Sequence, residues 1–364
     1  MAITKIPAAG FTGNNFRNII INGDMSIAQR GTSETGITGS GYNTVDRFGS
    51  TIATAGTWTQ SQSTDVPTGQ GFATSLKYDC TTANASLSAS SQIRIQQAIE
   101  GQNLQYLKYG TANAQSTTLS FWVKSNKIGT YIIQLLNGAV SRQVGKPYTI
   151  NTADTWEKKT ITFPEDTSSS LDNNNSVGLY VMFCLGTGTD RSSGTLQETW
   201  SSFVSANQFA GQTVNLADST DNEFYITGVQ LEAGTSASDF EFLPHDVNKR
   251  RCLRYYTQVT ANHYFAGARA NGTTGIIGGR FYTSVPLRAA PTIDAGTYQY
   301  YYGDAGNGAV SSSTTAVEYQ RDDTGLSFRL NSALSGVVDN EPVIVAASST
   351  IGYDSELWLQ MSII

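Results

Sequence analysis

The sequence predicts an all-β protein: an N-terminal arm, a jelly-roll β-sandwich and a second, C-terminal β-sandwich. Three observations carry this expectation. Only 14% of the residues are charged, against roughly 25% in an average soluble protein, and Ser, Thr, Asn, Gln and 35 Gly take their place. Thr, Tyr, Phe and Val fit pleated surfaces and Gly marks turns, so the composition excludes a helical bundle. Short apolar segments alternate with turn clusters at the spacing of sandwiches and barrels. The clearest segment, TLSFWVK over 118–124, puts Leu119, Phe121 and Val123 on one side and Ser120, Trp122 and Lys124 on the other, as side chains alternate along a strand.

Taken in order, residues 1–17 carry only scattered apolar groups, too few for a hydrophobic face, and read as an extended attachment arm. Residues 18–243 form the first domain. Its candidate strands are SLKYDC, QIRIQQAIE, TLSFWVK, TYIIQLL, WEKKTITF, VGLYVMFCL and EFYITGVQLE, enough for two packed sheets. Two stretches look helical, LQYLKY and PHDVNKRRCLRYY, with Pro244 and Asp246 placed as start and N-cap signals in the second. The second follows the Gly/Ser/Ala segment AGTSASD, which sets a boundary near Leu243 and a helical linker over 244–257. Residues 258–364 form the second domain, with GRFYTSVPL, TYQYYYGD, AVEYQ, GLSFRL, VVDNEPVIVAA and ELWLQMSII as strands. Pro286, Pro291 and Pro342 mark strand ends or edges, since proline donates nothing to a ladder.

At 364 residues, with 23 basic and 29 acidic side chains and a net charge of −6, the chain has no basic stripe for a phosphate backbone, so nucleic acid is not an expected partner. Cys80, Cys184 and Cys252 are odd in number and far apart, which offers neither a disulfide framework nor a CxxC motif. Cys184, inside VGLYVMFCLG, reads as a small core residue. His245 and His263 cannot supply HExxH and stand in no Ser/His/Asp setting. No stretch reaches the length of a membrane span, and the first residues lack the apolar core of a signal peptide, so a soluble chain without membrane insertion is expected. LDNNNSVGL has Val177 where a calcium loop needs glycine and reads as a polar turn. No metal and no cofactor are expected.

Aromatic side chains are the candidate ligand contacts, because their faces stack on the apolar face of a sugar. Trp122 projects away from the core face of its strand: either a loop or a second subunit packs over it, or it is a glycan platform. Trp156, at the start of WEKKTITF, reads as core. Tyr298, Tyr300 and Tyr302 share one face of TYQYYYGD, and large rigid rings with polar tips before a glycine-bearing turn suit either recognition or packing. The NKRR run at 248–251 reads as a solvated helix face. Glu100, Glu157 and Glu232 alternate with strand residues as ladder or turn neighbours rather than a hydrolytic pair, whose separation is spatial. No fixed-period repeat of the β-helix kind is present.

Several strings resemble a recurrent family of bacteriophage virion proteins: NIIINGDMSIAQRGTS, TVDRF at 44–48, GFATSLKY at 71–78, the run from Ile99 to Ser125, NTADTWEKKTITF, FYITGVQLEAGTSASDFE and CLRYY at 252–256. They stand in the family order and cover most of residues 16–257; VPLRAAPT at 285–292 resembles the opening of the family's distal β-domain. The first domain is also similar to carbohydrate-binding-module jelly rolls, which open with NGD followed by Phe-Glu and close with an aspartate-bearing strand. Here Ser26 stands in place of that Glu and Thr227 and Gly228 in place of the aspartates, so no calcium ligand is carried over. The resemblance implies a homotrimer on the virion surface, on the tail or capsid exterior, made in the host cytoplasm. The arm would bind other virion proteins, and Tyr300, Tyr302 and Trp122 would contact a host-surface glycan. A non-enzymatic tail fibre or receptor-binding protein is the leading expectation, a capsid decoration or head-fibre protein the alternative, and a polysaccharide depolymerase the second.

Overall fold

The computed structural model describes residues 16–259 and, beyond them, 264–265, 269–270, 276–289, 291–293, 297–301, 310–313, 317–318, 321–322, 325–330, 344–347 and 351–356. The first domain contains β1 (Ser33–Ile37), β2 (Gly49–Ala53), β3 (Thr57–Ser63), β4 (Ser75–Thr82), β5 (Gln92–Glu100) and β6 (Thr117–Ser125). It continues with β7 (Gly129–Asn137), β8 (Arg142–Ile150), β9 (Glu157–Phe163), β10 (Val177–Thr187), β11 (Ser201–Ser202) and β12 (Glu223–Ala233). They form two six-stranded antiparallel sheets, β1-β3-β4-β12-β6-β9 and β11-β8-β7-β10-β5-β2, in a sandwich-like jelly-roll arrangement. The fold is all β, as the composition predicts.

The period-two pattern explains the core. Leu119, Phe121 and Val123 of β6 face Tyr131, Ile133 and Leu135 of β7 and Leu179, Val181 and Phe183 of β10 in one buried cluster. Phe121 meets Tyr148 and Phe183 edge-on, with ring centroids 5.2 and 5.3 Å apart. Trp58 is fully buried and donates its Nε1 hydrogen to the Ala55 carbonyl at 2.7 Å. Pro147 lies within β8, opposite Ile132, where β11 no longer pairs with β8 and no ladder hydrogen bond is forfeited on that side.

The second sheet is covered on both faces. Gln92, Arg94 and Gln96 of β5 point away from the core, yet all are buried. Tyr180, Met182 and Cys184 share that face with Ile132 and Leu136 and pack with Phe209, Cys252 and Tyr255. Cys184 is therefore buried as expected, but on the outer face of its sheet rather than between the two sheets.

The one α-helix among the described residues, α1 (His245–Leu253), begins at Pro244 without a side-chain cap; Asp246 lies in its first turn instead of capping it. Asn248 and Arg251 correct the solvated-face reading of NKRR, since the Asn248 side chain is buried and only Lys249 and Arg250 face solvent. The Asn248 amide donates to Asn22 Oδ1, Asp24 Oδ1 and Ser26 Oγ at 3.4, 3.0 and 3.1 Å. A neutral donor thus fills the centre of the NGDMS loop and ties it to the helix.

After α1, β13 (Tyr256–Val259) pairs with Ile351–Asp354, which also pairs with Thr292–Ile293. The remaining strands belong to a four-stranded and a five-stranded sheet. GLSFRL forms a strand over the whole predicted stretch. Residues 1–15 of the arm and all of ELWLQMSII except Glu356 lie outside the described residues.

Candidate functional site

On the outer face of the first sheet, Trp122 of β6 stands between Lys158 of β9 and Thr227 of β12. It is half-buried and lines a cleft of about 270 Å³ together with Gln70, Phe72, Phe240, Phe242 and Lys158. Ser120, Gly228 and Asp239 complete the walls. The three phenylalanines form a cluster of their own. Phe72 lies 5.1 Å from both Phe240 and Phe242, and those two are 4.8 Å apart, in edge-on or tilted arrangements. Phe72 is nearly buried beneath the others, whereas Phe242 leaves 50% of its surface exposed.

Two glycines make this layer possible. β12 has an irregularity between Thr227 and Gln230, where Gly228 adopts a φ of +62°. A Cβ there would stand 2.6 Å from the tip of Phe72, so the bare backbone provides the space on which the ring lies. Gly71, at φ +84°, similarly lets Phe242 approach to 3.2 Å of where its Cβ would be.

Two residues further along the strands, roughly 7 Å away, a second aromatic group continues the same face. Trp156 meets Tyr225 at 6.2 Å and donates its Nε1 hydrogen to Asp65 at 2.9 Å. This corrects the reading of Trp156 as core: it lies just before the edge strand β9, against the outer face. Lys124 sits 4.3 Å over the Tyr225 ring and pairs with Asp65, while Lys77 pairs with Glu223 at 2.5 Å. Burial alone would raise the Asp65 carboxyl, but its Lys124 and Trp156 hydrogen bonds outweigh that and hold it below the usual range. Burial, followed by the hydrogen bond to Glu223, pushes the Tyr225 hydroxyl up, so it stays a donor to that carboxylate at 2.6 Å. Each cation in this second row has a carboxylate partner; Lys158, beside Trp122, has none among the described residues.

The three glutamates considered for hydrolysis are engaged at separate places. Arg254 grips Glu100 with two hydrogen bonds of 2.7 and 2.8 Å, and the Tyr255 hydroxyl donates to it at 2.6 Å. Burial raises the Glu100 carboxyl, but these donors outweigh it and the net direction is down. Glu157 likewise falls to about 2, its burial overcome by Lys159 and by donors from Thr152 and Asn151. Glu232 accepts from the Ser238 backbone and hydroxyl, both at 2.8 Å. No group of three or more metal-ligating side chains occurs among the described residues.

Tyr300 lies in the strand Thr297–Tyr301, opposite Val310 on one side and Val345 on the other. Tyr302 lies outside the described residues. Sequence reasoning identified Trp122 but missed Phe72, Phe240 and Phe242. Phe72 and Phe240 lie in GFATSLKY and SASDFE, strings of the virion-protein resemblance, and Phe242 just beyond the second, but single aromatic residues in loops have no period that would single them out.

No protein-family model matches the sequence, and no curated protein matches it. Among solved structures, the enzymatically active domain of bacteriophage CBA120 tailspike protein 4 aligns at 12% identity and a TM-score of 0.31, over 60% of this chain and 21% of its own. This chain thus spans about a fifth of that tailspike chain. A Bacteroides thetaiotaomicron protein described as sugar-binding aligns at 11% identity and TM-score 0.33, over 59% of this chain and 99% of its own. A family 11 carbohydrate-binding module from Clostridium thermocellum, solved with a mixed-linked tetrasaccharide, aligns at 11% and 0.27, over 57% of this chain and 98% of its own. Likenesses of this strength decide neither the fold nor the function; the jelly-roll arrangement rests on the two sheets themselves.

Proposed function

We propose that this chain is a non-enzymatic phage virion protein that attaches to a host-surface glycan, as a trimeric tail fibre or receptor-binding protein, through the cleft around Trp122. The observation that carries the glycan reading is the cleft itself, an open aromatic layer held on a sheet that has already built its core on the other side. A pyranose stacks its apolar face on such rings, and Gln70, Lys158 and Asp239 surround it with donors and acceptors for hydroxyls. About 270 Å³ is at the small end of ligand sites and suits one or two sugar rings. A single weak site of this size gains from symmetry, because linking sites raises avidity by roughly 10² to 10⁴ without a new contact. The virion assignment draws on the ordered strings between residues 16 and 257, and the arm over 1–17 is assigned to the particle.

The test is glycan binding and cell adsorption by the full chain and by Trp122→Ala. Weakening of both in the variant, with glycan affinity down about tenfold and the fold retained, is expected. Glycan binding that survives the substitution removes the cleft from the account. Absence of cell binding by the unaltered chain, with binding to capsids, makes it a decoration protein instead, and release of reducing ends from host polysaccharide makes it a depolymerase.

A further inference from the structure

A second cavity, of about 320 Å³, opens where Phe16, Asn18 and Ile19 meet the C-terminal end of α1. Phe16 and Ile19 supply apolar walls, Asn103 and Tyr106 polar ones, and Arg251 and Arg254 the charge. The two arginines differ. Arg254 is neutralised by its two-bond grip on Glu100. Arg251 donates only to the Asn18 carbonyl, at 3.4 Å, and no carboxylate among the described residues pairs with it. The nearby Glu241 is already engaged, accepting from the Asn18 backbone at 2.9 Å and lying 3.9 Å from Arg17. The face of Phe16 lies 5.5 Å from the Arg251 guanidinium and shields it from water on that side. A half-buried guanidinium keeps most of its five donors in a planar fork, and that fork matches a carboxylate.

We propose that this cavity binds a carboxylate-bearing sugar, a hexuronate, with its carboxylate on Arg251, its hydroxyls on Asn103 and Tyr106, and its apolar face toward Phe16. The site is separate from the Trp122 cleft and does not depend on it. Its selectivity is for charge: a neutral hexose satisfies the polar walls but leaves the guanidinium without an anion.

The experiment is titration calorimetry on the full chain with glucuronate, its uncharged amide and glucose as probes. Glucuronate is expected to bind, with the amide and glucose weaker by about tenfold or more, the loss of one charge-assisted contact. Because the first comparison varies only the ligand, it does not depend on any variant folding. Arg251→Gln is then expected to erase the difference between glucuronate and the amide, while Trp122→Ala leaves it intact. Equal affinity for all three probes, no binding of glucuronate, or a preference for glucuronate that survives Arg251→Gln would each overturn the proposal.

Discussion

The two sheets of the jelly roll share one core but treat their outer faces in opposite ways. The second sheet turns a polar row outward, with Gln92, Arg94 and Gln96 on β5, Gln134 on β7 and Gln143 on β8, and every one of these side chains is buried. Amide oxygens of Gln92 and Gln96 accept from Arg94 at 3.0 and 3.2 Å, and Gln134 donates to Gln143 at 2.7 Å. The first sheet turns rings outward and leaves them open, with Trp122 half-buried and Phe242 half-exposed. Burial of hydrogen-bonding groups is costly unless they pair with each other, so the closed face fixes one arrangement of the covering chain. Exposure of aromatic area gains nothing for folding, so the open face is the one to assign to a ligand.

Altering the closed side has the largest expected effect. Glu100, at the end of β5, is fully buried and holds both Arg254 and Tyr255. Glu100→Ala strands the guanidinium, and unfolding by denaturant is expected to show a loss of about 3 kcal/mol, the lower end for a broken buried pair because Arg254 keeps a wet edge. Affinity at the Trp122 cleft, which none of these residues lines, is expected to stay unchanged in the folded fraction, which separates the two faces.

Next in size is Gly228→Ala, which asks an L residue to hold φ +62° and puts a methyl group against Phe72. About 2 kcal/mol of stability is expected to go. Unlike the glutamate change, this one also weakens glycan binding, because the ring must move off the sheet. A stable variant with normal binding would show that Phe72 does not shape the cleft.

Trp122→Ala sharpens the comparison from the open side. Removing a stacking platform is expected to lower glycan affinity by about tenfold, with under about 1 kcal/mol of stability lost because the ring is only half-buried. Tyr300→Ala with Tyr302→Ala is the matched test of the C-terminal strand: if those tyrosines make a second contact, adsorption falls further in the combined variant than in Trp122→Ala alone.

The smallest effect is an acid dependence. The Glu157 carboxyl is lowered from 4.5 to about 2 in the folded chain. A depressed carboxylate adds stability above its unfolded value, and that contribution is lost as pH falls from about 4.5 toward 2. Solvent screening at this edge strand limits it to about 0.5 kcal/mol. Glu157→Gln is expected to remove it at pH 7 and to match the unaltered chain near pH 2.

Much of the fold was legible where a strand buries one face in the core. QIRIQQAIE and GLSFRL are strands over their whole predicted length, and TLSFWVK assigns its two faces correctly. SETGI, GSTIA, TWTQSQS and RQVGKPYTI escaped notice because they are short, polar or interrupted by proline, and sheet neighbours rather than their own pattern hold them extended. The site was legible in one residue only. Trp122 declares itself by alternation, whereas Phe72, Phe240 and Phe242 meet it through tertiary packing over two positive-φ glycines. Trp156 was misread because it stands one residue before the edge strand β9, beyond the reach of the core.

The central claim is that the open aromatic face of the first sheet is the glycan site. A crystal structure of the chain soaked with the best-binding host oligosaccharide tests it most directly. The account predicts a sugar ring stacked on Trp122 with its hydroxyls reaching Gln70, Lys158 or Asp239. A ring bound elsewhere, with the Trp122 cleft empty at saturating sugar, would contradict it.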